Sequence, residues 1–197
     1  MKQKLARALL RMLGWSMEGE PPTAKRFVLI AAPHTSNWDF PYMLLYAWAF
    51  GVQVNWLAKH TLFFPGANGI LRALGGIPVV RHKSQRMVDT MVDALQANEE
   101  LILVIPAEGT RAFTKYWKSG FYHIARRASV PIVPSRLDYK KKSGGFGKPL
   151  HVSGSLERDM NYFRQFYRGV SGKYPDQFGP IRLAEEDRPT DSEGLAA

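Results

Sequence analysis

Two short stretches of the 197-residue chain hold side chains able to move a proton or grip an anion. In PHTSNWD, residues 33–39, His34 and Asp39 stand five positions apart. If Ser36 or Asn37 caps a helix, Asp39 falls in its first turn, where the helix dipole favours a carboxylate, and His34 occupies the turn just before. An ionised Asp39 could then accept a hydrogen bond from one ring nitrogen of His34 and leave the other free to take a proton. Such a pair is a base and its orienting acid without a protein nucleophile, so the attacking group would be a hydroxyl of the substrate. A histidine and an aspartate at this spacing are often only a helix-cap feature, and the neighbouring motifs must decide.

The second stretch is Glu108-Gly109-Thr110-Arg111. Gly109 permits a ligand to approach the backbone, Thr110 adds a hydroxyl, and Arg111 can hold a phosphate through two parallel hydrogen bonds. The plain alternative is a surface ion pair between Glu108 and Arg111, worth about 0–1 kcal/mol. Arg81, at the end of another apolar run, is a candidate second clamp. His60, His82, His123 and His151 are scattered without metal-ligand spacing, and no metal or other cofactor is expected.

These residues need elements to bring them together. FVLIAA (27–32), VNWLA (54–58), IPVVR (77–81), LILVIPA (101–107), VPIVPSRLDY (130–139) and PLHVSG (149–154) read as strands. Between them, helices are expected from Ser36 or Asn37 to Phe50 with Gly51 as the stop, over 66–75, over 84–98, from Trp117 to Ala128 and over 157–168, with KKKSGGFGK (140–148) as a turn. Strands alternating with helices predict an α/β layered fold with a central, largely parallel sheet flanked by helices. In such sheets ligands bind beyond the carboxyl ends of the strands, where His34, Arg81 and Glu108–Arg111 all fall.

The first fifteen residues place Lys4, Arg7 and Arg11 on one side of a helix and Leu5, Leu9, Met12 and Leu13 on the other. That amphipathic pattern suits a helix lying in a membrane surface; its alternative is a helix docked on the protein's own core. Residues 1–20 are therefore expected to be a membrane-association segment, 21–180 the catalytic domain, and 181–197 an acidic, disordered tail. The chain carries +10 net charge at pH 7, of which residues 183–197 contribute −4 and the rest +14. Anionic partners follow from that balance, among them nucleic acid, anionic lipid or a phosphorylated small molecule. The only basic run is Lys140–Lys142, with no recognition motif beside it, which argues against a nucleic-acid module. There are no cysteines, so disulfides and thiolate nucleophiles are excluded. No run reaches the roughly 18 apolar residues a membrane-spanning helix needs.

Taken together, the chain resembles the glycerolipid, or lysophospholipid, acyltransferases. Four of that family's blocks stand in order: His34 to Asp39, GGIPVVR (75–81), Glu108 to Arg111, and Pro-Ile-Val-Pro (131–134). The resemblance implies that His34 deprotonates the acceptor hydroxyl, that Asp39 orients His34, and that the alkoxide attacks the thioester of acyl-CoA or acyl-carrier protein. It implies further that Arg81, Gly109, Thr110 and Arg111 bind the phosphate of a lysophospholipid or glycerol-phosphate-like acceptor while Glu108 fixes their loop. The expected location is cytoplasmic, on the inner face of the cell membrane. Two departures are visible: the third block has Pro106-Ala107 where the family has Phe-Pro, and the chain is shorter than many members. A hydrolase that uses the same pair to activate water is the competing reaction.

Overall fold

The computed structural model describes residues 1–79 and 84–187. Its core is a seven-stranded sheet built from β1 (Ser16–Glu18), β2 (Arg26–Ala32), β3 (Asn55–Lys59), β4 (Gly76–Val79), β5 (Leu101–Ile105), β6 (Ile132–Asp138) and β7 (Ser143–Phe146). The order across the sheet is β1-β7-β6-β2-β5-β3-β4. Every pairing is parallel except β6 with β7. The central strands carry near-continuous apolar runs because both of their faces are covered. Phe27, Val28 and Ile30 of β2 and Ile132 and Val133 of β6 are fully buried.

One face of the sheet is packed by α4 (Ser84–Ala97), α5 (Gly120–Ala128) and α6 (Leu156–Phe166). Met91, Val92 and Leu95 recur at helical spacing on α4 and meet Phe121, Ile124 and Ala125 of α5 over the strands. α6 starts on a capped turn, where the Ser155 hydroxyl accepts from the Arg158 amide. The other face is packed by α2 (Asp39–Phe50), closed by left-handed Gly51, with α1 (Lys2–Met12) laid across it, and the short α3 (Asn68–Ala73) leads into β4. This is the α/β layered fold read from the sequence.

Three expectations for the elements are corrected. The segment 149–154 contributes only a bridge from Leu150 to Ile132, and the last strand lies in the supposed turn, at Ser143–Phe146. Its glycines are there because neighbours leave no room. A Cβ on Gly144 would sit 2.6 Å from the Tyr46 ring, and one on Gly145 would meet the Glu18 carbonyl oxygen at 1.7 Å. β1 has three residues, too few for an alternating pattern to show. The fifth helix begins at Gly120 rather than Trp117, because Trp117 is extended and bridges Leu183.

That bridge also bears on the expected tail. Leu183 is fully buried, and the helical turn Ala184–Asp187 is tied down by Arg164 on Glu186 and by the Tyr116 hydroxyl on Asp187. Residues 181–187 thus belong to the folded body, and residues 188–197 lie outside the described ones. At the other end α1 is docked. Ala6 and Leu10 face inward, and Gln3 and Arg7 both donate to the Ala49 carbonyl at the end of α2. Arg7 is therefore occupied as a cap on α2. The face bearing Leu5, Leu9, Met12 and Leu13 points outward and is exposed.

Candidate active site

β2 and β5 are parallel neighbours with Ile30 opposite Ile105, so the loops leaving their carboxyl ends emerge side by side. Both expected motifs sit on those loops. After the cis Ala32–Pro33 bond, the His34 amide donates to Glu108 Oε2 at 2.8 Å, which links the two loops directly. Glu108 is 1% exposed, and its other oxygen has no partner among the described residues. Burial above all pushes its carboxyl up to about 8; the His34 hydrogen bond opposes the rise and the charge of Asp39 adds to it. Among the described residues no Glu108–Arg111 ion pair exists, so the surface-pair alternative does not hold.

His34 Nδ1 lies 3.3 Å from Asp39 Oδ2. Asp39 is buried at the first residue of α2, where the helix terminus favours its charge. The same Oδ2 accepts from the amides of Thr35 and Ser36, each at 2.9 Å, and Oδ1 accepts from the Tyr139 hydroxyl at 2.8 Å. Ser36 does not cap α2 as expected. Its hydroxyl accepts from the Trp38 amide within the preceding turn, so the helix starts one or two residues later than an Asn37 or Ser36 cap would place it. With Nδ1 on Asp39, Nε2 is the nitrogen left to meet a substrate.

Beside His34 opens a cavity of about 620 Å³ between α2 and the sheet. Leu29, Phe40, Met43, Ala47, Val54 and Trp56 give it apolar walls, and His34, Asp39, Lys59 and Arg111 line its polar part. Of the apolar residues on α2, Phe40, Met43, Tyr46 and Phe50 line this cavity, whereas Leu44 and Leu45 are spent on core packing. Gly109 has φ of +69°, which glycine adopts freely, and it turns the chain so that Thr110 and Arg111 stand exposed beyond buried Glu108. The Thr110 hydroxyl accepts from the Ala112 amide. Arg81 lies outside the described residues; β4, which leads to it, is separated from β5 by β3.

Three contributors escaped the sequence reading. Lys59 ends β3 and lines the cavity, where inspection of every strand end would have found it. Tyr139 reaches Asp39 from a hundred residues away, and no local pattern announces it. Gln177, with its amide oriented as its neighbours require, donates to the carbonyls of Thr35 at 2.9 Å and Arg111 at 2.6 Å, tying the two loops from above. The site thus sets an imidazole, with one nitrogen on a buried carboxylate, beside a largely apolar cavity whose lining includes Lys59 and Arg111.

The Acyltransferase family model matches residues 16–138, well over half of the 197-residue chain. A similar solved structure is the crystal structure of the 1-acyl-sn-glycerophosphate (LPA) acyltransferase, PlsC, from Thermotoga maritima. It matches with a TM-score of 0.58 and 22% identity, covering 85% of this chain and 76% of that one. At that identity the likeness speaks to the fold. No curated protein matches this chain in sequence.

Proposed function

This chain belongs to the acyltransferase family, and from that premise we propose that it moves a fatty acyl group from acyl-CoA or acyl-carrier protein to the hydroxyl of a lysophospholipid or glycerol-phosphate-type acceptor. The observation that carries the reading is the placement of His34, backed by Asp39, at an apolar cavity that also has Arg111 and Lys59 on its lining. A long acyl chain needs the apolar channel, a phosphate needs the cations, and the hydroxyl between them needs a base.

In this mechanism His34 Nε2 takes the proton of the acceptor hydroxyl. The alkoxide attacks the thioester carbonyl, the tetrahedral intermediate collapses with loss of the thiolate, and the imidazolium returns its proton to the leaving sulfur. Asp39 holds the ring and stabilises its charged form, and general-base help of this kind contributes about 10²- to 10⁴-fold in rate. Arg111, with Gly109, Thr110 and Arg81 of the expected set, holds the acceptor's phosphate, and Lys59 joins them. Glu108 fixes the loop by its bond to the His34 amide. No cofactor is required, since the thioester supplies the activated acyl group.

A lysophospholipid acceptor is amphipathic and partitions into a bilayer, and the outward face of α1 suits that place. Leu5 is 70% and Met12 78% exposed on a helix that also carries Lys2, Lys4 and Arg11. No helix among the described residues is long and apolar enough to cross a membrane. We propose that the exposed apolar stripe of α1 holds the protein on the membrane surface through residues 1–15, on the cytoplasmic side where acyl-CoA or acyl-carrier protein would reach it.

The test is thiol release from palmitoyl-CoA with and without a lysophospholipid. Release that depends on the lysolipid, with diacyl product, supports transfer. Equal release without it shows that water is the acceptor and that the protein is a hydrolase.

A further inference from the structure

Asp39 is held by three donors besides His34, and they differ in origin. Two are amides of its own turn, Thr35 and Ser36, on Oδ2. The third is the Tyr139 hydroxyl on Oδ1, from just past the end of β6. A carboxylate with donors on only one oxygen can swing about its Cβ–Cγ bond. With the phenol fixing Oδ1, the remaining acceptor direction on Oδ2 is the one that meets His34 Nδ1.

Tyr139 is itself clamped. Its amide donates to the Ser171 carbonyl at 2.9 Å. Its ring stands edge-on to Trp15 at 5.1 Å and 87°, and Trp15 packs on Tyr42 at 4.4 Å. Trp15 is 5% exposed, and its amide donates to the Leu10 carbonyl at the end of α1. A continuous run of contacts thus leads from the docked helix α1 to the Asp39 carboxylate. Trp15 and Tyr139 lie immediately before and after the segment 16–138 that matches the family model. Burial first, and then the hydrogen bond to Asp39 and its charge, push the Tyr139 hydroxyl well above the usual tyrosine range, so it remains a donor at any working pH.

We propose that Tyr139 is a positioning residue that acts on turnover through Asp39, and that Trp15 holds Tyr139 in place, so that the docking of α1 bears on the chemistry. The proposal rests on His34 and Asp39 being the base and its orienting acid.

The test uses the full chain as wild type, Tyr139→Phe, Trp15→Phe, the double variant and His34→Ala. Phenylalanine keeps the ring contacts of Tyr139 and removes only the hydroxyl. Turnover is read with palmitoyl-CoA and lysophosphatidic acid, and the His34 ring nitrogens are read by ¹H–¹⁵N NMR without substrate. Tyr139→Phe should lower kcat by about 10- to 100-fold with KM for the lysolipid changed less than about twofold. In the NMR spectrum the wild-type ring should show one tautomer, protonated on Nδ1, and Tyr139→Phe a mixture. Trp15→Phe should show a smaller change of the same kind. Its effect should largely vanish in the Tyr139→Phe background, because both act along one route. Wild-type kcat together with an unchanged His34 signal in Tyr139→Phe overturns the proposal, and additive effects in the double variant overturn the part assigned to Trp15. If His34→Ala retains turnover, the base assignment itself has failed, which is distinct from a dead His34→Ala beside an unimpaired Tyr139→Phe. Thermal unfolding of each variant separates loss of fold from loss of orientation, and the NMR readout decides even where the lysolipid is a poor acceptor.

Discussion

Replacing Glu108 with glutamine should flatten the pH dependence of the protein's stability between about pH 5 and pH 8. The carboxyl is 1% exposed, its Oε2 accepts a hydrogen bond from the His34 amide, and its Oε1 has no partner among the described residues. Burial lifts it from 4.5 to about 8 in the folded protein. The unfolded chain releases this proton near the ordinary carboxylate value, so in the window between the two values the folded state binds more protons. Stability conferred by the neutral acid is therefore complete below about pH 4.5 and is lost as pH rises to about 8. Each unit of difference corresponds to about 1.4 kcal/mol, so the whole window spans roughly 5 kcal/mol. Glutamine keeps an oxygen for the His34 amide and cannot ionise. Urea unfolding at pH 5.5, 6.5 and 7.5 checks this. The wild type should lose about 1 kcal/mol per pH unit relative to Glu108→Gln. Parallel curves for the two proteins would show that Glu108 ionises normally and would refute the burial argument.

Other perturbations probe the remaining parts of the site and surface. Arg111→Ala should raise KM for a phosphorylated lysolipid about tenfold or more with a smaller change in kcat, as steady-state kinetics will show, because the lost contact is made in ground and transition states alike. Ala47→Phe fills part of the 620 Å³ cavity and should shift preference toward shorter acyl groups, measured across a series of acyl-CoA lengths. Leu5→Asp, at a position 70% exposed, should leave stability within about 0.5 kcal/mol yet weaken binding to anionic vesicles about tenfold in a sedimentation assay. Unchanged vesicle binding would reduce α1 to a docked packing element.

What the sequence disclosed followed from local pattern. Apolar runs bounded by turn residues located β2, β5 and β6, and the residues just past β2 and β5 are those the fold brings together, because adjacent parallel strands must end side by side. The pattern failed where long-range packing overrides composition. Gly144 and Gly145 suggest a turn, yet they pair as a strand between β6 and β1, and they are glycines because Tyr46 and Glu18 leave no room for a side chain. Leu183 lies in an acidic stretch that looked disordered, but it is buried against Trp117. α1 was legible as amphipathic, while the residues that dock it were not. Its inner edge of Ala6 and Leu10 is too small to stand out beside the larger outward stripe of Leu5, Leu9 and Met12. In the site, Tyr139 and Gln177 come from beyond residue 138 and touch their partners only through the closed fold.

The central claim is that His34 is the base of an acyl transfer. Its most direct measurement is acceptor-dependent thiol release from palmitoyl-CoA by purified His34→Ala beside the wild type, with thermal unfolding run on both. The account predicts that the variant folds like the wild type and turns over at least about 10²-fold more slowly. Transfer at near wild-type rate by a folded His34→Ala protein would contradict it.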